Sequence, residues 1–295
     1  MTTTSPIPST PIPSAGAVPA PAGSRTGGGV AARWLHTLRA ELFKLRTTPG
    51  PWIVAGVTIV LTVLVIVTVF LVRHNTSGLG HQHSGVSFVA PHTVRGLRRL
   101  LGAGIGGLWL CAVLGTLVTT GEYRYQVITT TLLVEPRRAR VLSAKAAAAV
   151  LMGVLLGVAT LVVVAVLGIP LLAAEGGSVS GLLDQAGAVI PGLLAAYALF
   201  ALLGLGFGTL LRNQVASIVV LLLLGFLLDP ILEGLVPAIG KWLPTATGEA
   251  VAGGLVPAGQ AANLLSTGVA ALILVAWGVA PAVIGYFTTF RRDVT

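Results

Sequence analysis

The stretch AKAAAAVLMGVLLGVATLVVVAVLGI, residues 144–169, carries one charge, Lys145, at its start and then only apolar and small residues with a single threonine. At 1.5 Å of helical rise per residue, the uncharged part reaches roughly 35 Å, enough to cross the ~30 Å hydrocarbon layer of a bilayer. Backbone polar groups find no water in that layer, so the segment must bond them internally, as a helix does. Five further runs have the same character, near 52–72, 98–120, 189–211, 214–235 and 267–290. The reading is an all-α, polytopic membrane protein of about six transmembrane helices.

Composition agrees. Of 295 residues, 55% are hydrophobic and 9% are charged, where a soluble domain carries about 25% charge. There is too little charge to wet a soluble surface. The net charge is +9 and the pI about 10.8, values that in a soluble chain would point to nucleic acid. Here the basic residues gather beside apolar runs, where they set orientation and meet anionic lipid, so no nucleic-acid partner is expected. The single cysteine, Cys111, excludes an internal disulfide and any cysteine-based metal site.

Before the first span the chain has two parts. Residues 1–29 are mostly Thr, Ser, Pro, Gly and Ala with one charge, Arg25, and read as a disordered cytoplasmic tail without a secretory signal. Residues 30–295 form the transmembrane domain. Residues 31–46, AARWLHTLRAELFKLR, place Trp34, Leu35, Leu38, Leu42 and Leu45 within about a 100° arc of a helix. Arg39 and Arg46 flank one side and Arg33 and Lys44 the other, while Phe43 falls off the stripe. This predicts an amphipathic helix lying in the membrane interface, with Trp34, Leu38, Glu41, Leu42, Lys44 and Leu45 as its contact residues. The plainer alternative is a surface helix packed on protein. Pro49 and Pro51 break it before the first span.

The fifth span is the weakest, because its uncharged core, Val215–Leu228, stops at Asp229-Pro230. A charge at the bilayer centre costs about 2.5–3.5 kcal/mol on insertion scales, so Asp229 belongs near an interface or a protein-lined cavity. Residues 230–266 mix Pro237, Pro244 and Pro257 with glycines and short apolar stretches, and read as short re-entrant or interfacial helices. With the N-terminus cytoplasmic, thirteen of the 18 basic residues fall inside, and Arg73, Arg95, Arg98, Arg99 and Lys241 fall outside. That is the sense of the positive-inside rule, although the Arg95, Arg98, Arg99 group runs against it. Glycines recur at four-residue spacing, Gly102/Gly106, Gly153/Gly157 and Gly204/Gly208, which favours close helix approach. The run from Gly102 to Gly107 also fits GxGxxG, but it lies within a span with no strand before it, so dinucleotide binding is not expected.

Residues 121–145, GEYRYQVITTTLLVEPRRARVLSAK, concentrate charge and hydroxyls between the second and third spans. The sequence reads as a cytoplasmic loop with a short helix over Tyr125–Val134, built to dock on something or simply solvated. Together with Glu41-Leu-Phe-Lys44-Leu-Arg46-Thr-Thr, the blocks Gly121-Glu122-Tyr123-Arg124 and Pro136-Arg137-Arg138 through Lys145 resemble the permease subunits of type-2 ATP-binding-cassette exporters, particularly those of high-GC Gram-positive bacteria. The resemblance implies that the loop is a coupling helix seated on a separate ATPase subunit, which the N-terminal helix also touches. Glu122, Tyr123, Arg124, Thr129, Thr130, Thr131, Arg137 and Arg138 would then form the ATPase-facing surface. It further implies pairing with a second permease chain, the substrate path lying between them, and ATP and Mg bound by the partner alone. The chain carries no phosphate-binding loop of its own: its one Gly-Lys, Gly240-Lys241, is followed by Trp242, with Leu235 where the first glycine belongs. The expected function is export of a hydrophobic or amphipathic substrate such as a drug, antibiotic or lipid.

Three other classes compete, one of them a non-transporting sensor or immunity protein with the same fold. A secondary transporter or channel not driven by ATP would use intramembrane charges, for which Asp229 and Glu233 are the candidates. An intramembrane enzyme would need a nucleophile with its base, paired carboxylates or metal ligands within spans; no HExxH is present and no histidine falls inside a span. The histidines His74, His81, His83 and His92 have spacings that suit zinc or copper, but read more simply as part of a loop, and no metal site is assigned. The charge distribution yields a topology test. Single cysteines at Ser143 and Ser84, in a Cys111→Ala background, are expected to differ toward an impermeant thiol reagent, with position 84 labelled from outside intact cells. Labelling of position 143 from outside reverses the orientation.

Overall fold

The computed structural model describes residues 30–76, 100–124, 137–174, 179–254 and 264–290. The tail 1–29, the loop histidines His81, His83 and His92, and the threonines Thr129, Thr130 and Thr131 lie outside them. All regular structure among the described residues is helical. Helix α1 is Val30–Thr47 and α2 is Pro49–Thr76, with Pro49 and Pro51 at the corner between them. Helix α3 is Leu100–Arg124, tightened to a 3-10 turn at Ile105–Gly107 by the glycines there. Helix α4 is Arg138–Ala174, α5 is Val179–Leu211 and α6 is Gln214–Leu235. The short helices α7, Pro237–Gly240, and α8, Pro244–Val251, precede α9, Thr267–Gly285.

Six helices are long and apolar enough to cross a membrane: Pro49–Thr68, Leu100–Arg124, Arg138–Ala174, Val189–Leu211, Gln214–Leu235 and Thr267–Thr288. The chain is a multi-pass membrane protein by this criterion. The second and third spans are longer than the sequence indicated. Gly121–Arg124 complete α3 and Arg138–Lys145 begin α4, so the connection that reads as a 25-residue loop is helical at both ends. The charges there sit on helix ends, where water or protein rather than lipid solvates them. Between α5 and α6 the turn is tight: Arg212 takes a left-handed conformation (φ 52°), and the Asn213 side chain caps α6 by accepting from Val215 N–H and Ala216 N–H.

Helix α3 is the centre of the bundle. Its apolar window is 72% buried and that of α5 is 56%, against 22–28% for α2, α4, α6 and α9. The peripheral helices therefore keep broad apolar faces outward, including Val60, Leu155, Val166, Phe226 and Leu272, each more than 60% exposed or at that value. Such faces suit lipid, not water. The central contact depends on missing side chains. A Cβ at Gly115 would strike the Ala201 carbonyl, and a Cβ at Gly204 would strike that of Ala112, so α3 and α5 approach backbone to backbone.

Two of the three glycine pairs read from the sequence behave as expected: Gly153 and Gly157 face Tyr197 and Leu194 on α5, and Gly208 joins Gly204 against Thr116 and Thr119. The pair Gly102/Gly106 does not, because a Cβ at Gly106 meets open space. Its neighbours serve instead. Gly104 makes room for Thr160 and Leu193, and Gly107 for Tyr197, whose hydroxyl donates to the Gly104 carbonyl at 2.7 Å and lies 3.2 Å from Thr160 Oγ1. Substituting Gly204 by Ala is expected to lower stability by about 1–3 kcal/mol through overpacking, whereas Gly106→Ala is expected to leave it unchanged or slightly raised. Thermal unfolding of the purified protein in detergent distinguishes these outcomes.

Candidate functional site

The basic helix ends meet at one end of the bundle. Trp34 Nε1 on α1 donates to Ser143 Oγ on α4 at 3.1 Å, Arg124 on α3 reaches Gln214 on α6 at 3.4 Å, and Arg212 donates to the Thr288 carbonyl at 3.1 Å. Inside this ring lie four charges. Lys145 Nζ bonds Glu41 Oε2 at 2.8 Å and Glu122 Oε1 at 2.9 Å, and Lys44 Nζ bonds Glu41 Oε1 at 2.9 Å and Glu122 Oε1 at 2.7 Å. Lys145 also lies 3.4 Å from the Val118 carbonyl. Two carboxylates and two ammonium groups thus alternate in a closed, charge-balanced circuit joining α1, α3 and α4.

The circuit is dry on three of its four corners. The side chains of Lys145, Glu41 and Glu122 are 3%, 4% and 7% exposed, and that of Lys44 is 40% exposed. Burial alone would lower the pKa of Lys44, but the Glu122 and Glu41 carboxylates outweigh it and hold the value above the ordinary 10.5. Its ion pairs are therefore present throughout the physiological range and fade only as pH rises through that elevated value.

These positions change how the sequence-derived residues are understood. Part of the apolar stripe of α1 packs on protein: Leu45 is buried in the main core and Leu38 and Leu42 lie against it, whereas Leu35 is exposed. Glu41 sits at the edge of that stripe and is buried, paired with both lysines. Glu122, expected on a partner-facing surface, is 6% exposed and turned inward, because both lysines draw its carboxylate into the bundle. Arg124 and Arg137 are exposed, and Tyr123 and Arg138 are half-buried. The Tyr123 hydroxyl has no hydrogen-bond partner among the described residues. Lys145 is the residue that the sequence reading underused. A lysine two turns inside α4, an acid at the end of α3 and an acid 20° from the apolar arc of α1 each needed a partner of opposite sign, and helical phase alone did not show that they meet.

The chain matches no protein-family model, and no curated protein shows significant sequence similarity to it.

Removing Lys145 as Lys145→Met leaves two buried carboxylates short of a counter-charge and is expected to cost about 3–5 kcal/mol. Lys44→Met, at the wet corner, is expected to cost roughly 1 kcal/mol or less. Unfolding in detergent measures both, and Glu41→Gln combined with Lys145→Met should lose less than the sum of the single changes.

Proposed function

We propose that this chain is the membrane-spanning permease of an ATP-driven exporter, working with an ATPase carried on a separate chain and with a second permease chain. One observation carries the reading. The charge circuit fastens α1 to the end of α3 and the start of α4, the two helix ends that flank residues 125–136. A force applied to that connection reaches α1, α3 and α4 as one body, and α3 is the helix around which the bundle packs. A coupling element needs this linkage, and an ordinary solvated loop does not.

The two sequence blocks that resemble type-2 ATP-binding-cassette permeases are the blocks that the circuit joins: Glu41 and Lys44 from the first, Glu122 and Lys145 from the second. On this reading, Glu122 and Lys145 position the coupling segment, while Arg124 and Arg137, which are exposed, face the ATPase with Tyr123 and Arg138 beside them. Thirteen basic residues on the side of α1 and the α3–α4 connection would place that side, and both termini, in the cytoplasm by the positive-inside rule. The substrate would be hydrophobic or amphipathic, matching the apolar helix faces available to line its path.

The test is co-purification with a candidate ATP-binding-cassette ATPase subunit. Arg124→Ala with Arg137→Ala is expected to preserve folding and insertion while weakening association by roughly 30-fold or more, since losing a desolvated interfacial charge costs about 2–5 kcal/mol. Substrate-stimulated ATP hydrolysis should fall in parallel. Full association and full stimulation in the double variant would remove the basis of the proposal.

A further inference from the structure

At the other end of the bundle a buried acid meets the start of a short helix. Asp229, in the last turns of α6, is completely buried. Its Oδ2 accepts Thr245 N–H at 2.9 Å and the Thr245 hydroxyl at 2.7 Å, and Thr245 Oγ1 in turn accepts from Trp109 Nε1 at 3.1 Å. Glu233, one turn on, accepts Ala246 N–H. Both carboxylates thus cap the first turn of α8, where Pro244 leaves the next N–H groups seeking acceptors. Capping accounts for one oxygen of each acid. The other two, Asp229 Oδ1 and Glu233 Oε1, are buried and have no partner among the described residues.

The two residues are four apart on one helix and reach successive N–H groups of one turn, so their carboxyl groups lie on one face of α6 and interact electrostatically. Glu249, one turn along α8 from Thr245, repels Glu233 in addition. Among the described residues, no base forms an ion pair with Asp229 or Glu233. The segment 229–254 has one cation, Lys241, whose ammonium lies over the Trp242 ring at 5.7 Å from its centroid. Helices α7 and α9 carry no titratable side chain, the α5 stretch 189–211 offers only Tyr197, which is bound to Gly104 and Thr160, and Glu122 and Arg124 of α3 lie roughly 20 Å along the helix from Trp109. Among the described residues, no three His, Cys, Asp or Glu side chains are grouped to hold a metal ion.

We propose that Asp229 and Glu233 form a proton-binding site, in which one proton held between the two carboxyl groups satisfies both of their unpartnered oxygens. The protonated acid donates to the ionised one, leaving a single negative charge beneath the N-terminus of α8, whose dipole favours it. Release of the proton puts two like charges under that turn and weakens the seat of α8 on α6. Glu249, outside the spans, follows the same electrostatics: burial, and then the Glu233 carboxylate, raise its pKa from 4.5 to about 7. It is ionised above 4.5 in the unfolded chain but protonated up to about 7 in the fold, so its contribution to stability declines as pH rises between those values and is level above them. The site does not depend on whether an ATPase partners the chain.

Infrared spectroscopy of the full-length protein in nanodiscs tests the proposal directly. At pH 8, where Glu249 is mostly ionised, the wild type is expected to show one protonated carboxyl carbonyl band that shifts on deuterium exchange and is unmoved by sodium or potassium chloride. Glu233→Gln or Asp229→Asn should abolish it, and Glu249→Gln should leave it while flattening the stability profile between pH 4.5 and 7. The wild-type spectrum decides the matter even where a variant fails to fold. Absence of a protonated carboxyl band at pH 8 overturns the proposal, as does its persistence in both Asp229→Asn and Glu233→Gln, or its displacement by sodium or potassium.

Discussion

Glu41 and Lys145 meet at 2.8 Å, each almost wholly shielded from solvent, and the arrangement of this end of the protein follows from that contact. A charge withdrawn from water is tolerated only beside an opposite charge in good geometry. Once α1 carries Glu41 on its inner edge and α4 carries Lys145 two turns from its start, the two helices must dock with those residues in register. Glu122 and Lys44 then close the circuit with two further pairs, and α3 is held in the same frame. Within these four groups the alternating signs cancel.

Away from the charges, the bundle is organised by absent side chains. Gly115 and Gly204 let α3 and α5 come together along their backbones, where dispersion contacts are densest. Tyr197 fills the space made by Gly107 and Gly157 and ends on the Gly104 carbonyl. That carbonyl already accepts Gly107 N–H in the Ile105–Gly107 turn, and the hydroxyl adds a second hydrogen bond to it. Lipid offers no hydrophobic drive for helices to associate, and close packing of this kind takes its place.

The two ends of the molecule use charge differently. At the basic end, opposite charges are paired and rigidly placed, which suits transmission of force between helices. At the far end, among the described residues, Asp229, Glu233 and Glu249 lie near one another and Lys241 stands over the Trp242 ring. Fixed pairs resist pH, whereas neighbouring acids respond to it. On the two proposals made above, the protein separates a mechanical linkage from a titratable one along the same bundle.

The all-α, membrane-spanning character was legible in residues 144–169 and the five runs like them, because length and the lack of charge depend on composition alone. The proline corner at Pro49–Pro51 and the short helices of residues 230–266 were legible for a similar reason, since proline acts on its own backbone. The amphipathic stripe of α1 was also visible, but whether it faced lipid or protein was not, because both environments accept Trp34, Leu38 and Leu42. Only the tertiary structure brought Lys145 to Glu41, across 104 positions, and turned Glu122 inward instead of toward a partner. Helical phase states which residues share a face; it carries no information about which face of another helix will meet it. For apolar residues that ambiguity costs little, since any apolar neighbour serves. For a buried charge there is one acceptable neighbour, and its identity is a property of the packed fold.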